Sequence, residues 1–439
     1  MDARRSRASL LRVLVGVLSG VVVGCATILG VDFDVTARRT SAGAPRVDSG
    51  EGPSELPSWR IESPDGQTQL LGLSVAVEGD TILAGARDEP DWRGRVYVVT
   101  RNFDRTWQVA DTLTAQEFAV PNAQFGSSVA LSGDWAIVGA KGGRSVPGAA
   151  YFFRRRSGAW SLGKTGEDGG TSVGVQVQAV VPTGGDGFGT RVAIDGDTAV
   201  VGAPGQPPTE QDAGTPGVVY VYASNPDGTW SEIDVLAPPD GSPGDQFGTE
   251  LAVSSNTIVV GAPGADATGI DAGAAYVFSR DSGHFRLKQQ LLPNSKKATE
   301  TLLGWGSIGL DGNLLVVPAL GGPAGAQAQA YAADGSGTFT EVPFDAPPGQ
   351  SEQASAQWRT AIRGTTAIVA ARVSVNAGIG FVYRRIAGTW QFEKRLLSAT
   401  SPEDEVFGWT VAYDGYTACF GAIFFRGQEG AVYVFDIAP

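Results

Sequence analysis

Apolar positions along this chain gather in short runs of about five to eight residues, broken by Gly, Asp, Asn and Ser. That is the pattern of short strands separated by turns. One stretch shows the unit clearly. Phe247-Gly248-Thr249-Glu250-Leu251-Ala252-Val253 is followed, after a tight turn, by Thr257-Ile258-Val259-Val260-Gly261-Ala262-Pro263, and after a longer connection by Gly273-Ala274-Ala275-Tyr276-Val277-Phe278. The same statement is made seven times, and self-similarity at a fixed period decides architecture before any local feature does.

The first strands open at Leu71-Gly72, Phe125-Gly126, Phe188-Gly189, Phe247-Gly248, Gly304-Trp305, Ala356-Gln357 and Phe407-Gly408. A turn follows each, at Gly79-Asp80, Gly133-Asp134, Asp195-Gly196, Ser255-Asn256, Asp311-Gly312, Arg363-Gly364 and Asp414-Gly415. Asp-Gly between apolar runs predicts type I′ hairpins, which need positive φ at both central positions. Second strands end in small residues such as Gly202-Ala203-Pro204, and third strands carry aromatics such as Tyr220-Val221-Tyr222. Six repeats then show an aromatic after a turn, at Trp107, Trp160, Trp230, Phe285, Phe339 and Trp390, which opens a fourth strand.

Four antiparallel strands in units of roughly 50 to 60 residues predict an all-β, seven-bladed β-propeller over residues 58–439. The seventh unit stops at Ile437-Ala438-Pro439 without a fourth strand, while Ser58-Trp59-Arg60-Ile61-Glu62 stands ahead of the first. A strand at about 58–63 is therefore expected to pair with the last three and close the ring, leaving no open sheet edge. Glycine near the axis permits close backbone approach, and the preceding phenylalanine is expected to fill the wedge between blades.

The pattern resembles the FG-GAP repeat of the integrin α-subunit propeller, in the form found in bacterial surface proteins. The resemblance spans about 380 residues, with blades five and six departing most. It implies a binding or adhesion module. Integrin blades also carry Asp-x-Asp-x-Asp-Gly calcium loops between their first two strands, but here that connection is about two residues long, too short to supply six to eight oxygens. No cofactor or metal is therefore expected. Asp266 and Asp271 in the blade-four loop are the remaining donors for calcium, against the reading that they are solvated loop acids.

The N-terminus changes the picture of where the propeller works. Arg4, Arg5, Arg7 and Arg12 precede an apolar run from Val13 to Val23, about half of what a bilayer span needs, which reads as a secretory signal. Val22-Val23-Gly24-Cys25 resembles a bacterial lipobox, with valine at the position where leucine is more usual. This implies a lipoprotein signal over 1–24, a lipid on Cys25 and, with Ala26 in place of Asp, an outer-membrane lipoprotein facing the periplasm or the cell surface. Residues 25–57, rich in Thr, Ser, Gly, Pro and charge, read as a flexible tether.

A net charge of −13 argues against nucleic acid or anionic lipid as partners, so contact with the membrane is expected through the lipid alone, and the chain is expected to be a monomer. One histidine and two cysteines exclude most nucleophilic and zinc chemistry. His284 falls in the turn between third and fourth strands, where siblings have Ala159, Thr229 and Thr389, and reads as a solvated turn residue; Cys419 aligns with Val259 and reads as a small buried hydrophobe.

Strand direction alternates within a blade, so the loops joining strands two to three share a face with those joining each blade to the next. These are the long, variable ones, and loops on a rigid scaffold are where binding resides. They collect Asp91, Trp92, Glu210, Asp212, Asp240, Asp245, Asp266, Asp271 and Asp404. Such a face suits a basic or polyhydroxylated partner, a protein or a carbohydrate. A purely structural envelope component, and a polysaccharide-acting enzyme using carboxylates alone, are the other classes the sequence leaves open.

Overall fold

The computed structural model describes residues 38–39, 54–64, 68–88, 91–115, 120–143, 146–162, 176–177, 186–205, 214–293, 302–319, 328–345, 358–372, 378–398, 406–425 and 429–438. They fold into seven antiparallel meanders, six of them paired in chain order from first strand to fourth and the seventh completed by a strand from ahead of the first blade. Blade one comprises Thr68–Glu78, Thr81–Asp88, Arg95–Arg101 and Trp107–Leu113, and blade four comprises Glu250–Ser254, Thr257–Ala262, Ala274–Asp281 and His284–Leu291. First strands contact the first strands of both neighbouring blades all the way round, including blade seven against blade one, so they form the inner wall of a closed ring.

Closure is made as expected. Trp59–Glu62 pairs antiparallel with Ala431–Asp436, in the register Trp59 opposite Val434 and Ile61 opposite Val432. Ile61 is 1 % exposed, in a core shared by blades seven and one with Leu71, Trp107 and Cys419. Two further pairings lie within the stretch expected to be a tether: Arg38–Arg39 adds outside Trp59–Arg60, and Ser54–Glu55 runs parallel to the fourth strand of blade six. Glu55 there takes the ammonium of Lys394. The rest of 25–57, and the signal over 1–24 with Cys25, lie outside the described residues.

The core is divided into seven clusters, each shared between two adjacent blades. Phe247, fully buried, shows how the wedge is filled. It packs among Val219 and Val221 of blade three and meets Tyr276 and Phe278 of its own blade edge-on, at centroid distances of 5.4 and 6.1 Å. Phe125 and Phe407 repeat that geometry to within about 0.2 Å.

The residue after the phenylalanine sets the spacing of the ring. Gly126 and Gly408 have φ of 83° and 81°, and at each the ladder slips, Phe125 facing Ala140 while Ser128 faces Gly139. This glycine bulge turns the carbonyl toward the preceding blade. There it meets the glycine of that blade's second strand so closely that a Cβ on Gly85, Gly139, Gly202, Gly261 or Gly421 would sit 2.0 to 2.5 Å from the oxygen of Gly126, Gly189, Gly248, Gly304 or Gly72 respectively. Ser74 and Thr410 add hydroxyl donors to the carbonyls of Gly126 and Gly72, at 2.8 and 2.9 Å.

Two expectations need correction. In blade five the counterpart of Phe-Gly is Leu303-Gly304, one residue before Gly304-Trp305: Leu303 is fully buried, and Gly304, at φ 85°, donates to the carbonyl of Pro318 as Gly248 does to Gly261. Ala356-Gln357 of blade six lies outside the described residues. The first-to-second turns are Gly79-Asp80, Gly196-Asp197 and Gly312-Asn313, and only their first central residue has positive φ, which fits type II′. The doubly positive turns fall between third and fourth strands, at Ser157-Gly158, Ser282-Gly283 and Ala387-Gly388.

Six of the seven first-to-second turns are also held from the preceding blade. The side chain just before one turn accepts from the first N–H of its neighbour: Asp414 from Gly79, Glu78 from Gly133, Ser132 from Gly196, Asp195 from Ser255, Ser254 from Gly312 and Asp311 from Gly364. At the remaining junction Arg363 holds the position. Lacking an acceptor, it reaches back to Asp311 at 3.5 Å.

The glycine contact makes a sharp prediction. Gly202→Ala forces a methyl against the carbonyl of Gly248, and a loss of about 1–3 kcal/mol is expected in chemical denaturation. Gly335→Ala, in an outer turn with open space around it, should change stability by no more than about 0.5 kcal/mol.

Candidate functional site

Among the expected loop acids, Asp240, Asp245, Asp266 and Asp271 are brought together. The chain leaving blade three turns at Pro238–Gly241 and again at Ser242–Asp245, closed by the Asp245 N–H on the Ser242 carbonyl at 3.1 Å. Asp245 then returns its carboxylate to the Ser242 N–H at 2.8 Å and its carbonyl to Gly264 N–H at 3.1 Å. The loop after the second strand of blade four is fastened too: Asp271 N–H donates to the Asp266 carboxylate at 2.9 Å, Gly273 N–H to the Ala265 carbonyl, and Leu302 N–H to the Asp271 carbonyl. The residues between the ordered strands are thus held by backbone hydrogen bonds.

Electrostatics divides these acids by role. Asp245 is only 5 % exposed, and burial pushes its carboxyl above the usual range, against the Ser242 hydrogen bond and with added repulsion from Asp240 and Asp266. It builds the loop. Asp240 stands at the surface, accepting from the Tyr276 hydroxyl at 2.9 Å and from the Gln290 amide at 3.2 Å; Gln290 also reaches the Tyr276 oxygen at 3.0 Å. Burial, followed by the Asp240 contact, raises the Tyr276 phenol. Tyr276 and Gln290 were not singled out from the sequence, because Tyr276 is the ordinary third-strand aromatic of the repeat. Their offset, two strands from the loops, gave no signal.

Asp91 and Trp92 belong elsewhere on this face. The carbonyls of Asp91, Trp92 and Arg93 accept from Asn122, Gln124 and Phe125, which ties the blade-one loop to the entry of blade two. Trp92, at φ 52°, lies under the Arg87 guanidinium at 4.9 Å and is 38 % exposed. Glu210, Asp212 and Asp404 lie outside the described residues.

His284 stands at the outer hairpin as expected, its side chain 53 % exposed, but it has a partner: Nδ1 lies 2.9 Å from the Asp234 carboxylate of blade three, which also accepts from Phe285 N–H at 2.7 Å. Cys419 is fully buried in the second strand of blade seven, and burial pushes its thiol well above the usual range. Among the described residues, no group of three or more His, Cys, Asp and Glu side chains is placed to hold a metal ion, and no helix is long and apolar enough to cross a membrane.

With this geometry in place, comparison with known proteins gives the class. The family model of the FG-GAP repeat matches residues 107–153, 178–222 and 230–278. The first and third of these run from the fourth strand of one blade through the third strand of the next, the same phase in which the ring is closed. Three matched repeats within seven blades make the chain an FG-GAP β-propeller. No curated protein matches it by sequence. In shape it is similar to a Bacteroides uniformis protein described as a 6-phosphogluconolactonase, at TM-score 0.46 and 14 % identity over 73 % of this chain and 83 % of that one. It is also similar to a Sulfolobus tokodaii protein described as a hypothetical selenium-binding protein, at TM-score 0.47 and 10 % identity over 75 % and 80 %.

The raised carboxyl of Asp245 sets a pH test. Its folded value lies above the ordinary 3.8, so its contribution to stability is fully present below that value and is lost as pH rises through the folded one. Asp245→Asn keeps an acceptor for Ser242 but cannot ionise. Its melting temperature relative to the natural protein should therefore rise between acid and neutral pH; a constant difference across that range would refute the assignment.

Proposed function

We infer that this FG-GAP propeller is a non-catalytic binding module of the bacterial envelope, and that it takes a basic or polyhydroxylated ligand, protein or carbohydrate, on the loop face of blades three and four. One observation carries the reading: the loops there are fastened by their own backbone bonds, while Asp240, with Tyr276 and Gln290 behind it, is presented at the surface. A preorganised acid on a rigid ring loses little freedom on binding, which is how a scaffold converts contacts into affinity. The lipobox-like Val22-Val23-Gly24-Cys25 supports an outer-membrane anchor on Cys25, with the propeller acting as a monomer.

Two measurements test this. On arrays of glycans and basic peptides, Asp240→Asn combined with Asp266→Asn is expected to weaken binding about tenfold or more, the scale of losing charge-assisted hydrogen bonds. Unaltered binding would reject this face. Cys25→Ser should abolish incorporation of labelled fatty acid and release the protein from the membrane fraction; retention there would reject the anchor.

A further inference from the structure

Between blades one and two the outer part of the ring is open where the junctions of blade three with four and of blade four with five are bridged by side chains. The position opposite the central valine of the third strand is comparable in four blades, where the registers agree: Val98 faces Asp111, Val221 faces Asp234, Val277 faces Gln289 and Val382 faces Lys394. From blade three, Asp234 takes Phe285 N–H and His284 of blade four. From blade four, Gln289 both donates to the Phe339 carbonyl and accepts from its N–H, at 2.9 Å each. Lys394 of blade six is joined to Glu55.

Asp111 makes no such bridge among the described residues. Its carboxylate folds back on the N–H of Thr112 at 2.7 Å. The aromatic it would meet is Trp160, whose N–H points outward from the sheet, since Arg155 opposite sends its own N–H the other way, to the Asp134 carbonyl. Ala159 stands where blade four has His284, and offers no side-chain bond. The result is a cleft of about 420 Å³ opening on the tight-turn side, walled by Trp160 and lined by Asp80, Thr100, Arg101, Asp111 and Arg155.

We propose that this cleft is a saccharide-binding site that takes a neutral pyranose, as a mono- or disaccharide. Its volume falls in the range of small-molecule pockets, roughly 300–1,000 Å³. The lining offers both halves of a hydroxyl's bonding: carboxylates of Asp80 and Asp111 accept, and guanidinium and backbone N–H groups donate. Charge argues for neutrality. Arg101 is held by Asp436 at 3.2 Å and Arg155 by Asp134 at 3.3 Å, so two lining cations face two lining anions and have partners already. An anionic ligand would have to displace those carboxylates, and a cationic one would meet both guanidiniums. The indole of Trp160, with Arg155 5.4 Å from its ring, supplies the apolar wall against which a sugar's C–H face packs. This site is distinct from the acidic loop face, which lies at the other ends of the strands.

The test uses the full chain and ligand-observed NMR with lactose, cellobiose, maltose and N,N′-diacetylchitobiose, with galacturonate and glucosamine as charged controls. At least one neutral disaccharide is expected to bind, with Asp111→Asn weakening it about tenfold, the scale of a hydrogen bond to a charged group. Ala110→Trp, which fills the cleft from an exposed position, should abolish binding without lowering the melting temperature. Asp240→Asn should leave it unchanged, so failure here and failure of the loop-face reading are separable. Absence of binding by all four disaccharides, a preference for either charged sugar, or binding that survives Ala110→Trp would overturn the proposal.

Discussion

This propeller depends on how closely one blade approaches the next, and at five of its seven junctions that distance is set by a carbonyl lying against a glycine. The bulge at Phe-Gly aims the oxygen of Gly248 at Gly202, where a methyl would be 2.1 Å away. Only a residue without Cβ allows it. Once the blades stand that close, the phenylalanine beside the glycine has a wedge of fixed size to fill, which is why Phe125, Phe247 and Phe407 meet their tyrosines within 5.2 to 5.5 Å. The repeat therefore spends its invariant-looking letters on geometry, and the dry core is cut into seven pieces that no blade could bury alone.

The two faces follow from this inner wall. On one, short turns are clasped in a ring by the side chain that precedes each neighbouring turn, leaving little room for variation. On the other, loops differ in length and sequence, and their acids divide into those that build the loop, such as Asp245, and those presented outward, such as Asp240. The outer hairpins add a further set of clasps between blades. Where a clasp is missing, as between Asp111 and Trp160, the ring gains a cleft without losing its closure, because the inner contact bears the spacing.

The architecture was legible because periodicity survives drift: seven copies of strand, turn, small-residue ending and aromatic strand state a propeller even when one copy is poor. Closure was legible because Trp59-Arg60-Ile61-Glu62 reads as a strand ahead of the first blade, but its register was not: Trp59 resembles Trp107 and Trp230 in sequence yet faces Val434, the place that Asp111 takes opposite Val98. Register within divergent copies was not. Gly304-Trp305 looked like the counterpart of Phe-Gly because tryptophan is the conspicuous aromatic, yet Leu303 takes the buried place, since an aliphatic side chain fills that wedge and the glycine follows it. Turn type was likewise misjudged, because Asp-Gly signals positive φ without saying which residue of the pair enters the loop. The site was least legible. The clasps at Asp234 and Gln289, and the missing one at Asp111, join residues about 50 apart in blades whose letters there do not repeat.

The central claim is that the ring is closed by residues far from its C-terminal end, and removing Pro57–Pro64 tests it most directly. The strand exposes Ile61 and leaves the ladder of Ala431–Asp436 open when it is gone, so the truncated chain should melt many degrees lower, and a peptide spanning those residues should restore part of the loss. A truncated chain that melts cooperatively at the temperature of the natural protein would contradict the account.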